Sequence, residues 1–238
     1  MRPLVLAVHG SALPGAGRTL RRLADRVERL GGTRPVIGHL DHQSPSLADA
    51  LRGCPGAVVV PLLLGDGYHR TVDIPAVVAD RGAGCVLTEG LSGDPAVALA
   101  LRDRLREAER HAGVRADAVV LAAAGSSRPG GNDGALAAAR QLRALLADVP
   151  VRDAYCSAAA PTVPDAVARL RADGHRRVAV ATHLLAPGRF TVALAAAGAD
   201  AVAEPLADHP RLAGLVVRRY GQGLRHPGGP AAALGAAA

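Results

Sequence analysis

Continuously apolar runs alternate with amphipathic ones along most of the chain. Residues 3–8, PLVLAV, read as a short buried strand. After a Gly/Pro loop, GRTLRRLADRVERLGG (17–32) places Leu20, Leu23, Val27 and Leu30 at helical spacing, and Gly31 and Gly32 stop the helix. RPVIGHL (34–40) reads as a second strand. SPSLADALRG (44–53) reads as a short helix, with Ser46 after Pro45 as its N-cap. GAVVVPLLL (56–64) is a third strand, DIPAVVAD (73–80) begins another helix, and GCVLTE (84–89) is a fourth strand. DPAVALALRDRLREAERHAG (94–113) is a long helix with Asp94 as cap and Pro95 at its first position. Apolar strands alternating with helices predict an α/β fold, a parallel sheet covered on both faces.

The pattern then starts again. AVHGS (7–11) corresponds to AAAGS (122–126), and LLLGDGYH (62–69) to HLLAPGRF (183–190). A Pro-bearing segment lies between these blocks in each half, SPSLADALRG in one and TVPDAVARLRADG in the other. We therefore expect two duplicated α/β domains, 1–112 and 113–226, each a parallel sheet flanked by helices. Residues 227–238 are low-complexity and are expected to be a disordered tail.

Composition narrows the function classes. Of the 238 residues, 49% are hydrophobic but only 2% aromatic, so the core is built from Ala, Val and Leu. The 28 basic residues are all Arg, and the net charge is +7, which favours anionic partners. With almost no aromatic surface for base stacking, and the arginines spread along helical faces, we expect no nucleic-acid partner. Three isolated cysteines, with no CxxC pair, indicate neither a disulfide framework nor a thiolate zinc site. The first apolar run is too short for a signal peptide, and no run is long enough to span a membrane. We expect a cytoplasmic protein with no membrane partner.

The candidate chemistry sits at strand ends. In open parallel sheets ligands bind at the carboxyl edge. His9 directly follows the first strand and His69 lies in the loop after the third, so both can face one pocket. The loop after the second strand brings His39, Asp41 and His42 toward the same edge. In the second half His9 becomes Ala124 and His69 becomes Phe190, so the scaffold is kept while the polar groups are lost. The first half is then expected to carry the site, with the second half as a structural or substrate-covering partner. His183 aligns with Leu62 and reads as structural. Asp66 and Asp73 can orient a histidine, pass protons to solvent or cap a helix; for Asp73, before Ile74 and Pro75, capping is the expected role. A serine hydrolase is excluded by the lack of a G-x-S-x-G elbow, and a P-loop by the absence of its spacing and its Lys.

Three blocks, LAVHGSALPGAG, SPSLADAL and VVVPLLLGDGYHRTVDIP, together resemble the sirohydrochlorin chelatases of the CbiX/SirB type, class II tetrapyrrole chelatases. The resemblance is strongest over residues 4–75 and extends to 225 through the duplicated architecture. It implies a lyase that inserts a divalent metal into an anionic tetrapyrrole. Its metal would be Fe2+, giving siroheme, or Co2+ toward cobalamin. A non-catalytic metal or tetrapyrrole carrier is the other reading. By position, His9 and His69 would be the catalytic and metal-handling pair. Ser11, Gly67 and Arg70 would be on the substrate side, and Arg70 and Arg128 would meet its carboxylates. Neutral imidazole suits Fe2+ and Co2+, and two ligands suit an ion that must be passed on. No permanently bound cofactor is implied, the metal being substrate, and the expected assembly is a monomer or homodimer. Where the family often places a Glu near the site, this chain has Asp41, flanked by His39 and His42.

Overall fold

The computed structural model describes residues 2–11, 13–41 and 43–225. The first sheet consists of β1 (Leu4–Val8), β2 (Val36–His39), β3 (Val58–Pro61) and β4 (Val86–Leu87), all parallel, in the order β2-β1-β3-β4. The second sheet repeats it with β5 (Ala118–Ala123), β6 (Val151–Tyr155), β7 (Val178–His183) and β8 (Ala201–Val202), in the order β6-β5-β7-β8. The duplication read from the sequence is thus a repeated topology. His42 and the residues 227–238 expected as a tail lie outside the described residues.

The strands β1, β3 and β5 are apolar and buried on both faces because each sheet is covered twice. In β1, Val5 and Ala7 face outward onto α2 (Leu47–Gly53) and α3 (Ile74–Arg81), while Leu4, Leu6 and Val8 face inward. In β5, Ala118, Val120 and Ala122 face outward onto α6 (Val163–Ala172) and α7 (Arg189–Ala195), while Val119, Leu121 and Ala123 face inward. Both inner faces share one apolar core with α1 (Pro14–Gly31), α4 (Pro95–Ala112), α5 (Asp133–Leu146) and α8 (Pro210–Arg225). These four helices form a layer between the sheets.

Several local expectations are met by side-chain geometry. Ser46 caps α2 in a capping box with Asp49, and Asp94 caps α4 by accepting from the Ala96 amide at 2.9 Å. Others are corrected. Helix α1 begins at Pro14, three residues before the apolar stripe predicts, and Leu30 at the end of that stripe is 61% exposed. The fourth strand shrinks to Val86–Leu87 at the sheet edge. Residues 69–72, expected as loop before a helix starting at Asp73, form with Asp73 a π-helical turn that runs directly into α3.

The central helices are exchanged. Helix α4 follows the first sheet in sequence but packs on β7, β8 and α5 of the second. Helix α8 closes the second half in sequence but packs on β3 and α1 of the first. Close fits mark the exchange. A Cβ on Gly223 of α8 would lie 2.5 Å from Val58 Cγ1, so only glycine fits there. The Tyr220 hydroxyl donates to the Arg2 carbonyl, and Arg219 Nε donates to the Gly90 carbonyl at 3.0 Å. Asp94, the cap of α4, also pairs with Arg218 and Arg219 of α8 at 3.1 and 3.5 Å.

Candidate active site

The carboxyl edge of the first sheet gathers the polar groups. Beyond β1 and β2 the two segments keep their parallel pairing: the Leu40 amide donates to the Val8 carbonyl, and the Asp41 amide to the His9 carbonyl at 2.9 Å. That pairing sets Asp41 beside His9. Gly10 makes the approach possible, since its φ is +98° and a Cβ there would lie 2.0 Å from the Asp41 carbonyl oxygen. The same device recurs in the second half. Gly125 has φ +90° beside the Ser157 carbonyl, and Ser157 donates through its amide to Ala124.

From the other side, the π-helical turn after β3 brings His69 over His9. The two imidazole centroids are 4.6 Å apart, tilted by 44°. His9 Nδ1 is 3.4 Å from an Asp41 carboxylate oxygen. One ligand atom each from His9, Asp41 and His69 fall within 4.8 Å of one another. Two donors bound to one ion at about 2.1 Å are at most about 4.2 Å apart, so a small closure brings all three onto a single cation. His9 and Asp41 are about half exposed, so an ion can reach them from solvent.

His69 has its own carboxylate partner. Its Nδ1 lies 2.6 Å from Oδ2 of Asp73, four residues along the turn. A carboxylate only accepts, so Nδ1 carries the proton and Nε2 keeps its lone pair for a ligand. Asp73 makes no helix-capping bond, which corrects the role expected for it. The helical turn places residues i and i+4 on one face, and that pairing displaces capping.

The other sequence-derived residues separate into different tasks. His39 is buried, with Nδ1 3.1 Å from the Pro45 carbonyl, and it stands outside the cluster. Ser11 Oγ donates to the Pro187 carbonyl at 3.2 Å, tying the loop after β1 to the loop after β7. The Gly67 carbonyl accepts from the amides of Arg70 and Thr71 and from the Thr71 hydroxyl, which starts the π-helical turn. Arg70 packs its Nε and Cδ near Gly90, with Nε buried and without a hydrogen-bond partner. Asp66 is half-buried and makes no ion pair among the described residues. His183 is 4% exposed, and burial pushes its imidazole down to about 4, well below the ordinary value near 6.5. At the equivalent edge of the second sheet stand Ala124, Ser157 and Phe190 in place of His9, Asp41 and His69.

The sequence reading did not single out Tyr68. It is half-exposed, its ring stands edge-on to His69 with centroids 6.3 Å apart, and Arg128 from the second half lies over it at 5.1 Å. The only sequence signal is an aromatic residue next to the histidine in a chain that holds four Phe and Tyr in all.

A family model described as CbiX matches residues 3–108 and again residues 118–223. The sirohydrochlorin cobaltochelatase of Methanopyrus kandleri is 28% identical over 139 residues, covering 45% of this chain and 97% of that protein. That of Methanosarcina barkeri is 33% identical over 88 residues, covering 34% of this chain and 68% of that protein. Among solved structures, SirB from Bacillus subtilis with Fe3+ superposes with a TM-score of 0.75 at 20% identity, covering 98% of both chains. SirB from Bacillus subtilis subspecies spizizenii in complex with cobalt gives 0.71 at 21% identity, covering 95% of this chain and 97% of that one. At these identities the structural likeness speaks for the fold.

Proposed function

The chain belongs to the CbiX family, and from that premise we propose that it is a sirohydrochlorin chelatase with its site in the first half. The observation that carries the reading is the imidazole pair of His9 and His69, set beside Asp41 at the carboxyl edge of the first sheet. Two imidazoles and one carboxylate are suitable donors for Fe2+ or Co2+. An open, half-exposed set of three holds an ion without enclosing it, as a donor that must release its metal requires. The reaction is balanced as an exchange: one divalent cation enters the macrocycle and two N–H protons leave it. The His9 and His69 imidazoles and the Asp41 carboxylate are placed to accept those protons once the ion has passed on, and Asp73 holds His69 in the tautomer that presents Nε2.

Fe2+ is the first reading of the metal. Co2+ is the second, and it is favoured by the curated relatives, which are cobaltochelatases. Ser11, Gly67 and Arg70 act on the substrate side, Ser11 and Gly67 through the loop positions they hold. No helix among the described residues is long and apolar enough to cross a membrane; the reading places the chain in the cytoplasm, as a monomer or homodimer. The test is anaerobic sirohydrochlorin with Fe2+ or Co2+, followed by absorbance, for the wild type and for His9→Ala/His69→Ala. A wild-type rate well above the uncatalysed one, lost in the double variant, is the expected result. Equal rates for wild type, variant and blank would overturn catalysis and favour a carrier.

A further inference from the structure

The loops of the second half reach the histidine site with cations. Gly65 and Gly67 in the loop after β3 lie against Gly131 and Ser126 in the loop after β5, with a Cβ on each 3.2 and 3.7 Å from those residues. That second loop is braced by its own groups. The Arg128 amide donates to Ser126 Oγ at 3.2 Å, and Asn132 Nδ2 donates to the Ser126 carbonyl at 2.9 Å. From this brace Arg128 extends over Tyr68, its Cζ 5.1 Å from the ring centroid. The loop after β7 is held to the site loop by Ser11 and Pro187, and at the start of α7, which follows it, Arg189 lies over Phe190 at 4.7 Å.

Both arginines are exposed, and neither makes an ion pair among the described residues. By contrast, the arginines between α4 and α8 are consumed: Arg104 by Asp208 and Glu107, Arg211 by Asp103, Arg218 and Arg219 by Asp94. Of the acids nearest the site, Asp73 is taken by His69 and Asp41 by His9, while Asp66, between Gly65 and Gly67, makes no ion pair among the described residues. A guanidinium over an aromatic face makes no hydrogen bond to the ring plane, so its N–H groups remain available, and their fork matches a carboxylate bidentately.

We propose that Arg128, held on Tyr68, together with Arg189 on Phe190, recognises the side-chain carboxylates of the tetrapyrrole. The second half thereby determines substrate specificity while the first handles the metal. The proposal rests on the chelatase reading and deepens it. Arg128 and Arg189 are specificity residues and take no part in metal insertion.

The experiment titrates metal-free sirohydrochlorin, by its own fluorescence under anaerobic conditions, into the full chain. It is repeated with an analogue whose side-chain carboxylates are primary amides, and Co2+ affinity is measured separately. Arg128→Gln is expected to weaken binding of the acid about tenfold, and Arg128→Gln/Arg189→Gln further, with Co2+ affinity unchanged. Arg128→Lys recovers part of the loss, because it restores charge without the fork. Tyr68→Phe binds as wild type and Tyr68→Ala weakens, because the ring, not the hydroxyl, seats the guanidinium. The amide analogue binds wild type and Arg128→Gln alike. In turnover, Arg128→Gln raises KM and leaves kcat. If Arg128→Gln/Arg189→Gln binds the acid as wild type does, or loses acid and amide equally, the proposal is overturned while the chelatase reading stands. A wild type that binds Co2+ but no sirohydrochlorin overturns both.

Discussion

Asp73 accepts a hydrogen bond from His69 Nδ1 at 2.6 Å across the π-helical turn that follows the loop after β3. The carboxylate sets the tautomer and the ring plane of a metal-handling imidazole, a role whose loss commonly costs 10–100-fold in metal affinity. Asp73→Asn is expected to weaken Co2+ binding by about tenfold. Its effect on stability is small, about 0.3–0.5 kcal/mol, because the pair is partly exposed and caps nothing. Metal titration and a urea melt of the same variant separate the two effects.

Asp41 distinguishes a three-donor site from a two-histidine one. Asp41→Asn keeps the size and removes the anionic donor, and about a tenfold loss of Co2+ affinity is expected. Ser157→Asp places a carboxylate at the equivalent point of the second half, beside Ala124 and Phe190. It is expected to leave metal affinity and stoichiometry unchanged. Isothermal titration of both variants checks this.

Gly10 and Gly125 form a natural pair of tests. An alanine at either position combines a left-handed φ with a Cβ about 2 Å from a carbonyl oxygen, 2.0 Å at Gly10 and 1.8 Å at Gly125. Each substitution is expected to destabilise the fold by about 2 kcal/mol or more. Only Gly10→Ala moves the backbone that sets Asp41 against His9, so only it reduces metal affinity below that expected from the folded fraction. Thermal melts paired with Co2+ titration give the comparison.

His183 makes stability depend on pH. Burial holds its folded-state imidazole at about 4, against an ordinary value near 6.5. Between those values the unfolded chain binds the extra proton and the folded chain does not. Stability from this group is therefore complete above about pH 6.5 and falls as the solution is acidified toward pH 4. Between pH 8 and pH 5 the loss from this one group is about 2 kcal/mol. His183→Leu, the residue type at the equivalent Leu62, is expected to flatten that part of the profile in urea melts across this range.

Much of this fold can be read along the chain because each signal is local. Ser46 and Asp94 cap where their side chains can reach an amide two or three residues on, and the doubled HGS-like and LLLGDG-like blocks mark the repeat. The closeness of His9 and His69 followed from a topological rule, since both lie at carboxyl ends of parallel strands. What escaped depends on competition between local choices or on distant contacts. Asp73 stands both before a Pro-containing helix start and four residues after His69; capping and pairing use the same carboxylate, and only the π-helical turn decides between them. Leu30 fits the stripe of α1, but the helix ends beyond the core that would cover it. Tyr68 and Arg128 are 60 positions apart and meet only because the loops of the two halves face each other. The exchange of α4 and α8 leaves no trace in sequence, because an Ala- and Leu-lined helix suits the inner face of either sheet.

That exchange governs how the molecule comes apart. A protease cutting within residues 113–117, between α4 and β5, would sever the backbone and free neither product. The amino-terminal piece would still have α4 seated among the strands of its neighbour, and the carboxy-terminal piece would still have α8 seated against β3. To separate, both must withdraw a helix at once, exposing Leu101 and Leu105 on one side and Leu212, Leu215 and Val216 on the other. The nicked protein is expected to elute at the size of the intact chain and to melt in a single transition. Damage planted in the half without histidines would then loosen the half that has them.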